Sequence, residues 1–225
     1  MTIDYTVIKS KRKTLTLSFD EKGNLIVKSP LYVTKRQIER VISEKQNWIL
    51  STKEKLNNSL KKYPPLSFKE GDFLLVGGEK YVLTFTEASV KGVYLIKEEN
   101  KIIVSKNVKD VKNTVKNFYK NLAKKTITER LNSWCLQLGE NYKSVSFNFA
   151  KTRWGSCGSG TLNFNVALIC CPDFVIEYVV IHELCHLKIK NHKKEFWQKV
   201  EKYCPYYKTA EKYLKENKAI INLFN

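Results

Sequence analysis

The sequence predicts an α+β protein, β-rich at the front and more helical behind. Three features carry this. Short runs with period-two alternation, separated by Gly, Pro and Asn, fill much of the first hundred or so residues. From about Asn107 onward, long stretches place apolar residues at helical spacing. One helix-length run, Asp173 to about Lys190, is apolar on nearly every side until His182, as expected of a helix that crosses a core. The expected division is 1–105, a β-rich part with one helix, and 106–225, an α+β part.

In the front part, Thr14 to Phe19 alternates polar and apolar residues like a half-buried strand. Gly23-Asn24 turns the chain into Leu25-Ile26-Val27, and Pro30 ends that strand. Thr34 and Gln37 have the spacing of a capping box. Behind it, Ile38, Val41, Ile42, Ile49, Leu56 and Leu60 mark an amphipathic helix that Pro64-Pro65 breaks. Phe73 to Val76 and Tyr81 to Phe85 read as a hairpin about Gly77-Gly78. Tyr94 to Ile96 and Ile102 to Val104 read as a second.

The back part opens with a long helix carrying Val108, Val111, Val115, Phe118 and Leu122, which Gly139 closes. Ser144 to Phe149 and Leu162 to Val166 alternate like strands, joined by a glycine-rich connection, Arg153 to Gly160. Pro172 suits the first turn of the apolar helix. Two further helices follow, split near Pro205.

Composition narrows the class. With 43% apolar and 28% charged residues the chain reads as globular. The run Val166 to Cys171 is far too short to span a bilayer, so no membrane partner is expected. No apolar segment follows Met1-Thr2-Ile3-Asp4, so the expected location is the cytoplasm. None of the six cysteines forms a C-x-x-C pair, and reduced thiols are expected. The net charge of +18 suits an acidic partner such as nucleic acid, although a lysine-rich proteome gives the same balance without one.

The chemistry lies between residues 182 and 192, where all three histidines of the chain fall. His182-Glu183-Leu184-Cys185-His186 is an H-E-x-x-H segment. Two imidazoles four apart on a helix face the same way and can share one metal ion. Glu183, one step round, can meet a water on that metal as general base. A helix turns about 100° per residue, so His192 would point about 240° away from His186 if the helix continued. It becomes a third ligand only if the chain leaves the helix first, and Asn191 tolerates the left-handed turn this needs. Glu195 and Glu201 are alternative third ligands, ranked below His192. Three histidines leave an open position for water, the pattern of a catalytic Zn2+ site. Ile189 stands where the metzincin pattern requires glycine.

Trp154-Gly155-Ser156-Cys157, Leu162 to Asn165, Tyr178 to Leu187, and Asn191-His192 to Phe196-Trp197 resemble the YgjP-type metallopeptidase family, relatives of the SprT and WLM zinc proteases. Lys9 to Lys13 with its strands, and Trp48-Ile49, resemble the front of that family. The resemblance implies a zincin-like domain built around a central active-site helix. It makes His182, His186 and His192 the zinc ligands and Glu183 the catalytic base. Arg153 and Trp154 are candidate substrate contacts. Leu162 to Val166 is the candidate edge strand for a substrate backbone, with Asn163 and Asn165 candidate supports of the zinc ligands. Three functions follow: a peptidase acting on peptides or proteins, a DNA-associated protease acting on DNA-bound proteins, and a non-catalytic zinc or nucleic-acid-binding module.

Overall fold

The computed structural model describes residues 3–20, 23–88 and 92–224. The chain divides into two compact units, Met1–Pro64 and Pro65–Asn225, so the division falls at the Pro64-Pro65 break and not near residue 105. The strands between 73 and 105 belong with the second unit.

The first unit is a three-stranded sheet with two helices. Its strands are β1 (Tyr5–Ser10), β2 (Thr16–Phe19) and β3 (Leu25–Pro30). They stand in the order β1-β3-β2, with β1 parallel and β2 antiparallel to β3. The capping box forms as expected. The Thr34 hydroxyl accepts from the Gln37 N–H at 3.3 Å, and Gln37 Oε1 accepts from the Thr34 N–H at 2.8 Å. The single helix expected behind it is two, α1 (Lys35–Glu44) and α2 (Gln46–Lys62), broken at Lys45, whose φ of −103° and ψ of 12° leave the helical well. Leu25, Val27, Ile38, Ile42 and Ile49 form the core of this unit.

The second unit begins with β4 (Phe73–Val76), β5 (Glu79–Thr86), β6 (Val93–Ile96) and β7 (Lys101–Ser105). Both expected hairpins are antiparallel, and β5 joins β7 in parallel to give the order β4-β5-β7-β6. Helix α3 (Val111–Leu138) starts at Asp110, whose carboxylate accepts from the Asn113 N–H at 2.9 Å, and stops at left-handed Gly139, φ 63°. Every fourth residue from Val115 to Leu131 is buried, and the Tyr119 hydroxyl donates to the Leu75 carbonyl at 2.8 Å. That bond ties the four-stranded sheet to α3.

The remaining strands are β8 (Ser144–Asn148), β9 (Gly155–Gly158) and β10 (Thr161–Asn165), in the order β8-β10-β9. A buried 3-10 turn, Val166–Cys170, leads to α4 (Asp173–Cys185), followed by α5 (Lys194–Tyr203) and α6 (Tyr207–Glu216). The β4–β5 turn packs on this entry. The Gly77 and Gly78 N–H groups donate to the Ile169 and Cys170 carbonyls at 2.8 and 3.1 Å. A Cβ on Gly78 would lie 2.8 Å from Pro172 Cγ, so glycine is required there for packing as well as for its φ of 88°. Helix α4 is buried on nearly every face and packs on α3, α5, α6 and β9. Among the described residues no helix is long and apolar enough to cross a membrane, and the structure is α+β.

Candidate metal centre and active site

His182 and His186 stand one turn apart at the C-terminal end of α4 and share a face. The helix stops at Cys185, short of the expected Lys190, and His186 is its cap residue. The Leu187 N–H bonds the Leu184 carbonyl at 3.0 Å and the Ile189 N–H the Cys185 carbonyl at 3.1 Å, which turns the chain out of the helix. The expected left-handed Asn191 is absent, because its φ is not positive. Departure at His186 makes such a residue unnecessary. The Asn191 side chain instead accepts from the Lys193 N–H at 3.1 Å and closes a local turn.

This path brings His192 back onto the helix end. The three Nε2 atoms lie 3.1, 3.1 and 3.2 Å from one another. Four tetrahedral nitrogens at zinc–nitrogen distances of about 2.0–2.1 Å would stand about 3.3–3.4 Å apart, so the donor set fits that ion closely. Three ring nitrogens that all present lone pairs at this separation repel one another unless a cation lies between them. His186 Nδ1 lies 2.8 Å from the Ile189 carbonyl oxygen, which can only accept, so Nδ1 carries the proton and Nε2 the lone pair. Burial, and then the neighbouring His186 and His192, press His182 down to about 3; burial lowers His186 as well. Both rings are therefore neutral near pH 7, the form that binds metal. Glu195 and Glu201 are not in the cluster that converges on one point.

An aromatic wall from α5 holds the rings. Phe196 stacks on His186 at 4.3 Å between centroids and meets His182 edge-on at 4.9 Å. Trp197 lies 5.7 Å from the His192 ring and is itself stacked on Tyr207 at 5.3 Å. These contacts restrict the movement of all three imidazole rings.

Glu183 is 5% exposed, and its Oε2 atom is buried without a hydrogen-bond partner. Burial raises its carboxyl to about 8, against the pull of the Arg153 guanidinium. Strand β9 presses on it: a Cβ on Gly155 would lie 2.6 Å from Glu183 Oε1. Arg153, exposed, and Trp154, partly buried, stand immediately before this strand. Their carbonyls accept from Asn165 at 2.9 Å (side chain) and 2.8 Å (backbone), which fixes the entry to β9.

Two expectations for this region are corrected. Residues 162–166 do not form an edge: β10 lies between β8 and β9, and β9, read from sequence as a connection, is the edge strand beside α4. Nor do Asn163 and Asn165 support the histidines. Asn163 accepts from the Ser146 hydroxyl, and Asn165 donates to the Ala150 and Arg153 carbonyls and accepts from the Ala167 N–H. Sequence reasoning also missed the Gly155 contact and the Ile189 carbonyl, since both depend on where distant segments meet.

Three imidazoles converging at the end of a buried helix, beside a buried carboxylate, are the arrangement of a metal-dependent hydrolase. The sequence model of the YgjP-like metallopeptidase domain matches residues 13–217, and the chain belongs to that family. Among solved structures, one match is the crystal structure of the metallopeptidase zymogen of Methanocaldococcus jannaschii jannalysin. It is 25% identical, with a TM-score of 0.35, and the match covers 40% of this chain and 91% of that one. No curated protein matches the chain.

Proposed function

We propose that this protein is a zinc-dependent peptidase in which His182, His186 and His192 hold the metal and Glu183 is the general base. The observation that carries the reading is the meeting of three Nε2 atoms within 3.2 Å of one another. A set of three imidazoles suits zinc and leaves a position open for water or substrate. When bound, the metal polarises the scissile carbonyl and makes a water acidic near neutral pH.

The chain's own residues supply the proton transfers and the alignment. In its ionised form, Glu183 Oε2, buried and unpartnered, takes the proton of the attacking water. A carboxyl whose proton affinity burial has raised then delivers that proton to the leaving amine nitrogen. The Arg153 guanidinium, close enough to act on Glu183, offsets negative charge developing on the carbonyl oxygen. Among the described residues β9 pairs with β10 alone, and an extended peptide adds as a further strand along its other edge.

The test is cleavage of a peptide library by the zinc-loaded protein, with Glu183→Ala run beside it. The expected result is cleavage by the wild type, a loss on the order of 10²–10⁴-fold in the variant, and equal zinc content in both. Equal cleavage by both proteins would reject Glu183 as the base. Failure of the wild type to retain zinc at all would reject the metal site.

A further inference from the structure

Two of the three ligand rings have their second nitrogen engaged, and the engagements differ in kind. His186 Nδ1 faces a backbone carbonyl at 2.8 Å, which leaves only one tautomer. His182 Nδ1 lies 3.2 Å from the Tyr178 hydroxyl, a group that can either donate or accept. If that hydroxyl donated, the neutral ring would carry its proton on Nε2 and could not ligate.

A third group decides the direction. The Glu211 carboxylate, on α6, faces the same hydroxyl and interacts with it through a hydrogen bond and its charge. A phenolic hydroxyl keeps its hydrogen near neutral pH. A carboxylate has no hydrogen to offer. The single hydroxyl hydrogen therefore points at Glu211, and the oxygen lone pair is left for His182 Nδ1–H.

We propose that Tyr178 is a positioning residue for the metal site: its hydroxyl receives the hydrogen of His182 Nδ1 and directs its own to Glu211, so that a carboxylate on α6 sets the tautomer of a ligand on α4. The geometry suits the task. Tyr178 precedes His182 by one helical turn, is 4% exposed, and meets the imidazole edge-on with centroids 5.6 Å apart. Because α4 and α6 are packed together, the relay is held by the fold and does not rely on a mobile side chain alone. Partners of this kind behind a metal-bound histidine orient the ring and raise its basicity.

This inference rests on His182 being a ligand, and the experiment separates the two claims. Zinc affinity is measured by competition with a chelator for the wild type, His182→Ala, Tyr178→Phe, Glu211→Ala and the Tyr178→Phe/Glu211→Ala double variant. The expected loss is about 10–100-fold for Tyr178→Phe. Glu211→Ala, a change at an exposed position, should also weaken binding, and the double variant should bind no more weakly than Tyr178→Phe. In nitrogen NMR of the zinc-loaded protein, the His182 Nδ1–H signal should move in both single variants while that of His186 stays put. A purely structural role would not select between the two rings. Wild-type affinity in Tyr178→Phe, or additive losses in the double variant, would overturn the positioning role. Undiminished zinc binding by His182→Ala would instead overturn the ligand assignment beneath it.

Discussion

Gly155 has no room for a side chain, and the atom that denies the room belongs to the proposed base. A Cβ at this position would lie 2.6 Å from Glu183 Oε1, 2.8 Å from its Cγ and 3.0 Å from its Cδ. Contacts under 3.0 Å with a buried carboxylate that has little space to retreat force the carboxylate to move. Gly155→Ala is expected to lower kcat/KM by about 100-fold, the order of loss that a misplacement of about 1 Å brings. Zinc affinity should stay within a few-fold of wild type, because the atoms nearest to a Cβ at this position belong to Glu183 and not to a histidine. Steady-state kinetics with metal analysis checks both halves; unchanged kcat/KM would mean that Glu183 can shift without consequence. At this scale the sequence showed one side of the site and hid the other. The periodicity of a helix is local, so His182, His186 and Glu183 could be placed from their spacing alone. Gly155 meets Glu183 across a large gap in the chain, and nothing local to its glycine-rich segment marks that meeting.

Among the elements, those with a strong local signal were legible. Thr34 with Gln37, the Gly77-Gly78 turn, the Gly139 stop and the apolar α4 all appear where their residue types demand. Strand β1 was obscured by the lysine run that begins at Lys9, and β9 by its composition, Gly-Ser-Cys-Gly, which has no alternation to read. That β10 is central and β9 an edge is a matter of pairing between distant segments, so no window of sequence could decide it. A different non-local contact holds the element that carries the aromatic wall. Glu140, 6% exposed just beyond α3, accepts from Lys199 of α5 at 2.8 Å and lies 4.0 Å from Lys188 in the turn after His186. Glu140→Ala would leave Lys199, 22% exposed, without its anion. The expected cost is about 3 kcal/mol, the low end of the range for a broken buried pair, since both lysines reach water. Urea unfolding measures it. Zinc binding should weaken in parallel, because Phe196 and Trp197 ride on the same helix. A loss of stability with unchanged zinc affinity would show that the wall does not depend on this anchor.

For the molecule as a whole, the division into Met1–Pro64 and Pro65–Asn225 places every proposed functional residue in the second unit. The three histidines come from the end of α4 and from the segment before α5, so an ion bound between them would cross-link these two stretches of chain. Zinc held a hundredfold above its Kd should stabilise the folded unit by about 2.7 kcal/mol. For a unit of this size that corresponds to roughly 5–10 °C in melting temperature. Stripping the metal with a chelator should reverse the shift, and added zinc should restore it. Hydrogen exchange with and without zinc locates the effect. Added protection is expected in α4, in the 186–193 segment and in α5, all inside the second unit, while amides of β1 to β3 and of α1 exchange at unchanged rates. If protection spread into residues 3–64, the two units would be energetically coupled, and the first would take part in holding the site although it contributes no ligand to it.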